Sequence, residues 1–233
     1  MSTPMKTARQ FDTELDKLKQ NLLHMATLAE TAVSKSVMSV INRDSDLARD
    51  VITDDININR LELEIEDQAF KLLALRQPLA TDLRLIVAAM RIATELERIG
   101  DQAVNVAERA LELNSRPPLE LPIDLQVMAD LALGMVRTSI EAFTQQNPKL
   151  AIQVCQRDVE ADLMDDEYVQ KLLKFMIQES RWVIRLHHFI IIIRNLERIA
   201  DLATNIAENI VFVIEGRVIK HRCEEWMLAA TPP

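Results

Sequence analysis

The stretch Arg91–Glu108 recurs one hundred positions later as Ile191–Glu208, with ten identities in eighteen positions. The shared residues are Ile, Leu, Glu, Arg, Ile, Asp, Ala, Asn, Ala and Glu. Unrelated segments would share roughly one, and common helical composition would raise that to about two or three. A chain carrying the same word twice is built from two copies of one unit, and both copies must satisfy one folding pattern. The plausible linker, Asn114-Ser115-Arg116-Pro117-Pro118 with Pro122 beyond it, lies almost at the midpoint. The expected organisation is a first repeat over residues 1–116, a second over 117–219, and a C-terminal tail over 220–233.

Each unit is expected to be helical. Glycine occurs three times and aromatics make up 4%, too few for the turns and strands of a barrel or sandwich. Phe11, Leu15, Leu18, Leu22, Met25 and Leu28 recur at steps of three and four, one face of a helix from about Ala8 to Ile41. Asn42-Arg43-Asp44-Ser45 supplies turn and N-cap chemistry. A second helix follows to about Gln77, with Leu61, Ile65, Leu72 and Leu75 on its apolar side, and Pro78 stops it. Thr81 or Asp82 is expected to cap a third, ending near Leu113. The second half repeats this: a helix from about Asp124 to Gln145, one opened by Asn147-Pro148 and reaching Gln178, and one capped by Ser180 and ending near Gly216. Long helices joined by short turns pack as up-and-down bundles. The fold class is therefore all-α, two tandem three-helix bundles with spectrin-like packing, related by duplication.

Charge narrows the function. The formal net charge is −9 and the pI about 5.0, which argues against nucleic acid as a partner, since phosphate contacts need clustered Lys and Arg. The densest apolar run, Phe189–Ile193, is five residues, so no membrane span is expected. The N-terminal sequence lacks the apolar stretch of a secretory signal. Cys155 and Cys223 have no metal or redox spacing and suit a reducing cytoplasm. A cytoplasmic location is the expectation.

The repeated motif holds the chemistry. At about 100° per residue, Glu97, Asp101, Asn105 and Glu108 fall within about 80° of arc, beside an apolar face of Leu96, Ile99, Ala103 and Ala107. Glu197, Asp201, Asn205 and Glu208 repeat the stripe. A second row runs on the preceding helix of each half: Asp55, Asn59 and Glu62, then Asp158, Asp162 and Asp165. Like charges four residues apart cost about 0.2–0.5 kcal/mol per pair, so something cationic should neutralise such rows. One reading is ion pairing with Arg98, Arg198 or arginines of neighbouring helices. The other is a metal cation between facing helices. Oxygen and amide donors without histidine suit Mg, Mn, Fe or Zn. No E-x-x-H occurs on a core helix, against a di-iron oxidase. No phosphate cradle and no nucleophile motif is present. His187-His188 diverge around a helix and cannot easily share a ligand, and Trp182 reads as a packing residue at a helix start. Nothing reads as a catalytic constellation.

Three segments in this order carry a resemblance: Leu75-Arg76-Gln77-Pro78-Leu79-Ala80-Thr81-Asp82-Leu83-Arg84, Glu97-Arg98-Ile99-Gly100-Asp101, and Glu197-Arg198-Ile199-Ala200-Asp201 with Asn205-Ile206-Ala207-Glu208. From about Phe11 to Gly216 the chain resembles the PhoU family of phosphate-specific transport accessory and regulatory proteins. The resemblance implies paired three-helix bundles with E(D)-x-x-x-D motifs facing one side, where some members hold metal clusters. By position, the implied ligands are Glu97, Asp101, Glu197, Asp201, Asp158, Asp162 and Asp55. The sequence departs at Asn59, where an acid would be the better ligand, and at Ala200, opposite Gly100 of the first copy. It further implies a non-enzymatic, cytoplasmic homodimer. Such a protein links the phosphate ABC transporter, through its ATPase subunit, to a sensor histidine kinase, and restrains uptake and the phosphate-starvation response. A carboxylate metal store or metalloenzyme of bundle type is the rival reading. A spectrin-like spacer is third and gives no reason to repeat the acidic rows.

Overall fold

A computed structural model of the chain describes residues 3–216. Six α-helices occur among them: α1 (Thr3–Ile41), α2 (Ser45–Arg76), α3 (Ala80–Asn114), α4 (Leu125–Gln145), α5 (Pro148–Gln178) and α6 (Val183–Glu215). A 3-10 turn, Ser180–Trp182, joins α5 to α6. No strand occurs among the described residues, and no helix there is long and apolar enough to cross a membrane. The expected tail over 220–233, with Cys223, lies outside the described residues.

The helices start and stop where local chemistry directs. Asp44 caps α2, its carboxylate accepting from the N–H groups of Asp46 and Leu47. Its neighbour Arg43 takes a left-handed conformation (φ 56°). The Arg43 guanidinium donates to the carbonyls of Leu113 (3.3 Å), Asn114 (3.0 Å) and Arg116, tying the α1–α2 turn to the end of α3. Asp124 caps α4 and Asn147 caps α5, with Pro148 in the first turn. Several expectations need correction. Helix α1 begins at Thr3, before Ala8. Helix α3 begins at Ala80, so Thr81 and Asp82 lie inside its first turn and no side chain caps it. Ser180 opens the 3-10 turn, and Trp182 precedes α6 without a side-chain cap. Leu75, placed on the apolar side of α2, is 72% exposed, because α2 ends one residue later, beyond the reach of the core. Cys155 is buried on α5.

The apolar stripes build the bundles. Leu18, Leu22 and Met25 of α1, Ile65 of α2 and Leu96 and Ile99 of α3 are fully buried, as are Met135 of α4, Leu172 of α5 and Leu196 and Ile199 of α6. Helices α1, α2 and α3 pack mutually, as do α4, α5 and α6, giving two tandem three-helix bundles related by duplication. Their broadest shared interface is α3 against α6. Arg84 Nε, at the start of α3, donates to the Val213 carbonyl at the end of α6 (3.2 Å). Asn205 Nδ2 meets Glu95 Oε2 midway (3.5 Å), and Arg185 Nη1, at the start of α6, donates to the Pro117 carbonyl past α3 (2.9 Å). These pairs run in opposite directions, so the two motif helices form an antiparallel spine. Helix α1 also meets α4, where Arg137 pairs with Glu30 (2.5 Å). One continuous apolar core runs through both bundles.

Candidate metal centre

The four-residue steps on α5 and α6 bring the second-half acids together. One carboxylate oxygen each from Asp162, Glu197 and Asp201 lies within 4.8 Å of the others, and these three residues could hold a metal ion. Asp162 and Asp201 are exposed and Glu197 is half-buried. Beneath them Asp165 is only 2% exposed. Its Oδ2 accepts from Arg194 Nη1 (2.5 Å), while its Oδ1 is buried without a partner. Asp158 Oδ1, one turn before Asp162, is likewise buried and unpartnered. The Thr204 hydroxyl lies against the Asp158 carboxyl, leaving the Oδ1 atoms of Asp158 and Asp165 open. Buried oxygens are rarely left in this state without a ligand or water to complete them.

The electrostatics show the strain of gathering like charges. Glu197 is pushed up to about 7, first by burial and then by the carboxylates of Asp201, Asp165 and Asp162. Asp158 is pushed up to about 6 by burial, then by Asp201 and Asp162. Burial and Asp162 also raise Asp201, against the pull of Arg198. A divalent cation would relieve all three, and oxygen donors alone suit a hard or borderline ion.

The first half places equivalent residues differently. Asp55, Asn59 and Glu62 of α2 face Glu97 and Asp101 of α3, and Glu97 is pushed up to about 7 by burial, then by Asp101, Glu62 and Asp55. Asn59 stands where the second half has Asp162. Its Nδ2 donates to Asp55 Oδ2 (2.9 Å), and both Oδ1 atoms remain buried without partners. Among the described residues no three acids of this half converge as Asp162, Glu197 and Asp201 do. Gly100 sets the approach of α2: a Cβ there would lie 3.0 Å from Ile58 Cδ1 and 3.2 Å from Asp55 Oδ1.

Arginines neutralise these rows only in part. Arg98 pairs with Glu95 (3.4 Å) rather than with Glu97 or Asp101. In the second half it is Arg194 that reaches the row, at Asp165. Sequence spacing had not singled out Arg194, Thr204 or Glu95. Arg194 lies three residues before Glu197, a step that places it on the same face, and this was the available signal. Trp182 packs edge-on against Phe175 (5.3 Å between centroids), with Arg181 and Arg185 over its ring, in keeping with a packing role. His188 has a buried, unpartnered Nδ1 and is depressed mainly by burial and then by Arg109, against the pull of Glu112.

Known proteins match this arrangement along its length. The family model of the PhoU domain matches residues 22–110 and again 125–210. A phosphate-specific transport system accessory protein PhoU homologue of Caulobacter vibrioides is 37% identical over 211 residues, 90% of this chain and 92% of its own. A homologue of the same description from Xylella fastidiosa is 35% identical over 208 residues, 89% of this chain and 86% of its own. The crystal structure of PhoU from Pseudomonas aeruginosa superimposes with a TM-score of 0.85 at 35% identity, covering 89% of this chain and 100% of that one. The phosphate transport system regulatory protein PhoU from Streptococcus pneumoniae gives 0.83 at 29% identity, over 89% and 98%. Two matched domains, full-length relatives and a common fold agree: this chain belongs to the PhoU family.

Proposed function

We propose that the protein is a non-enzymatic accessory regulator of phosphate uptake. It restrains the phosphate ABC transporter, acting at its ATPase subunit, and with a sensor histidine kinase keeps the phosphate-starvation response off when phosphate is plentiful. It works in the cytoplasm as a homodimer. The observation that carries this reading is similarity to phosphate-specific transport accessory proteins over about nine-tenths of the chain. The physics is compatible: paired bundles offer long protein-binding faces, and an acidic surface favours basic partner patches. The metal reading completes it. Asp158, Asp162, Glu197 and Asp201 between α5 and α6, with Asp55, Glu97 and Asp101 between α2 and α3, hold divalent or trivalent ions of the Fe, Zn, Mg or Mn type. Such ions would cross-link neighbouring helices and fix the face that partners meet.

A clean deletion tests the regulatory role. Phosphate-starvation genes should become active in phosphate-rich medium, and the intact gene should restore repression. Unchanged repression after deletion rejects the reading. If the deletion instead abolishes a metal-dependent oxidation while repression stays intact, the carboxylate metalloenzyme reading replaces it.

A further inference from the structure

We infer that the two halves are unequal metal sites: the α5–α6 cluster binds tightly through carboxylates alone, and Asn59 makes its α2–α3 counterpart a weaker, mixed amide–carboxylate site. This rests on the metal reading above and concerns how the two copies divide that role. The repeat aligns Asp55 with Asp158, Asn59 with Asp162 and Glu62 with Asp165, so the halves can be compared ligand by ligand. In the second half the Asp162 carboxylate converges with Glu197 and Asp201, and the 2%-exposed Asp165 keeps a buried, unpartnered Oδ1 beneath them. Nothing internal competes for the Asp162 oxygens in the hydrogen-bond network of the described residues.

In the first half the same position has already found a partner. The Asn59 amide donates to Asp55 Oδ2 at 2.9 Å, a contact two carboxylates could not make without sharing a proton. A cation gripping Asp55 through both oxygens must displace that amide hydrogen from Oδ2 or share the oxygen with it. One that leaves the hydrogen bond intact is offered the two unpartnered oxygens, Asp55 Oδ1 and the neutral Asn59 Oδ1. Either way the site has one fewer negative ligand and a pre-formed competitor. Ligand charge count tunes cation affinity over orders of magnitude, and neutral carbonyl donors suit hard ions better than borderline ones. Residue 59 is therefore the specificity-determining position of the first site, and its amide is what separates the halves.

Manganese titration of the metal-free, full-length protein, followed by the electron paramagnetic resonance of free Mn2+, reads this directly. The wild type should bind in two phases whose dissociation constants differ by about tenfold or more. Asn59→Asp, nearly isosteric, should tighten the weak phase towards the strong one. Asp162→Asn should remove the strong phase and leave the weak phase in place. Helical circular dichroism on each variant confirms that the fold is kept. Two indistinguishable phases in the wild type, or an Asn59→Asp titration that superimposes on it, overturn this inference and leave the metal reading standing. Absence of saturable binding in every protein overturns both.

Discussion

Glu97 and Glu197 hold protons that ordinary glutamates at their pH would have lost. Both are pushed from the usual 4.5 up to about 7, chiefly by burial and then by neighbouring carboxylates. The folded, metal-free protein therefore binds more protons than the unfolded chain between about pH 4.5 and 7. Stability falls with rising pH wherever the folded state binds more protons, so this contribution is present below 4.5 and lost as pH climbs through 7. With chelator present, the melting temperature should drop between pH 5 and pH 7.5. Added metal should restore most of the loss at the higher pH, since it binds the deprotonated ligands. Thermal melts at several pH values, with and without chelator, provide the measurement; a chelated protein equally stable throughout would remove the electrostatic basis for the centre. The acidic rows were legible because a four-residue step fixes which face a side chain occupies. The Asn59–Asp55 bond and the Arg194–Asp165 pair were not, since spacing places a residue on a face and leaves its rotamer open.

At the scale of elements, the turn between α1 and α2 carries two tasks. Asp44 closes two open N–H groups of α2, and Arg43 beside it closes the carbonyls at the end of α3. Asp44→Ala should destabilise the protein by about 1 kcal/mol, the usual loss of an N-cap, measured as a lower urea midpoint with unchanged slope. A shallower slope would mean that the turn holds more of the bundle together than its cap. Helix bodies were readable from the three–four periodicity, and the Asp124 and Asn147 starts came with it. Failures gathered at the ends. Helix α3 begins on Ala80 with a left-handed φ of 47°, which Thr81 and Asp82 did not announce. Leu75 continues the apolar rhythm of α2 into solvent, since periodicity does not say where the neighbouring helix stops.

Across the whole molecule the proline linker had suggested two units separable near residues 114–122. The broad α3–α6 interface and the continuous core give those units a common interior. We therefore expect a protease to nick the 116–124 segment while the two fragments stay together. Gel filtration of nicked protein should give the intact elution volume, and denaturing electrophoresis two bands of roughly half length. Elution as separate halves would show that the boundary at 116/117 divides independent domains. Duplication was legible from the repeated word itself. How the copies meet was not, because residues facing another helix of the same bundle and residues facing the other bundle are apolar alike.

The antiparallel spine also bears on how the two sites came to differ. Duplicated helices that meet antiparallel stand much as two protomers do across a two-fold axis, where one patch must complement itself. A half-length ancestor could have made the α3–α6 contact between two separate chains, held together only in proportion to its concentration. Joining the copies made the association permanent. It also lifted a restriction that binds every homodimer, in which a substitution at one site is at once a substitution at the other. In the fused chain, position 59 could become an amide while position 162 kept its charge.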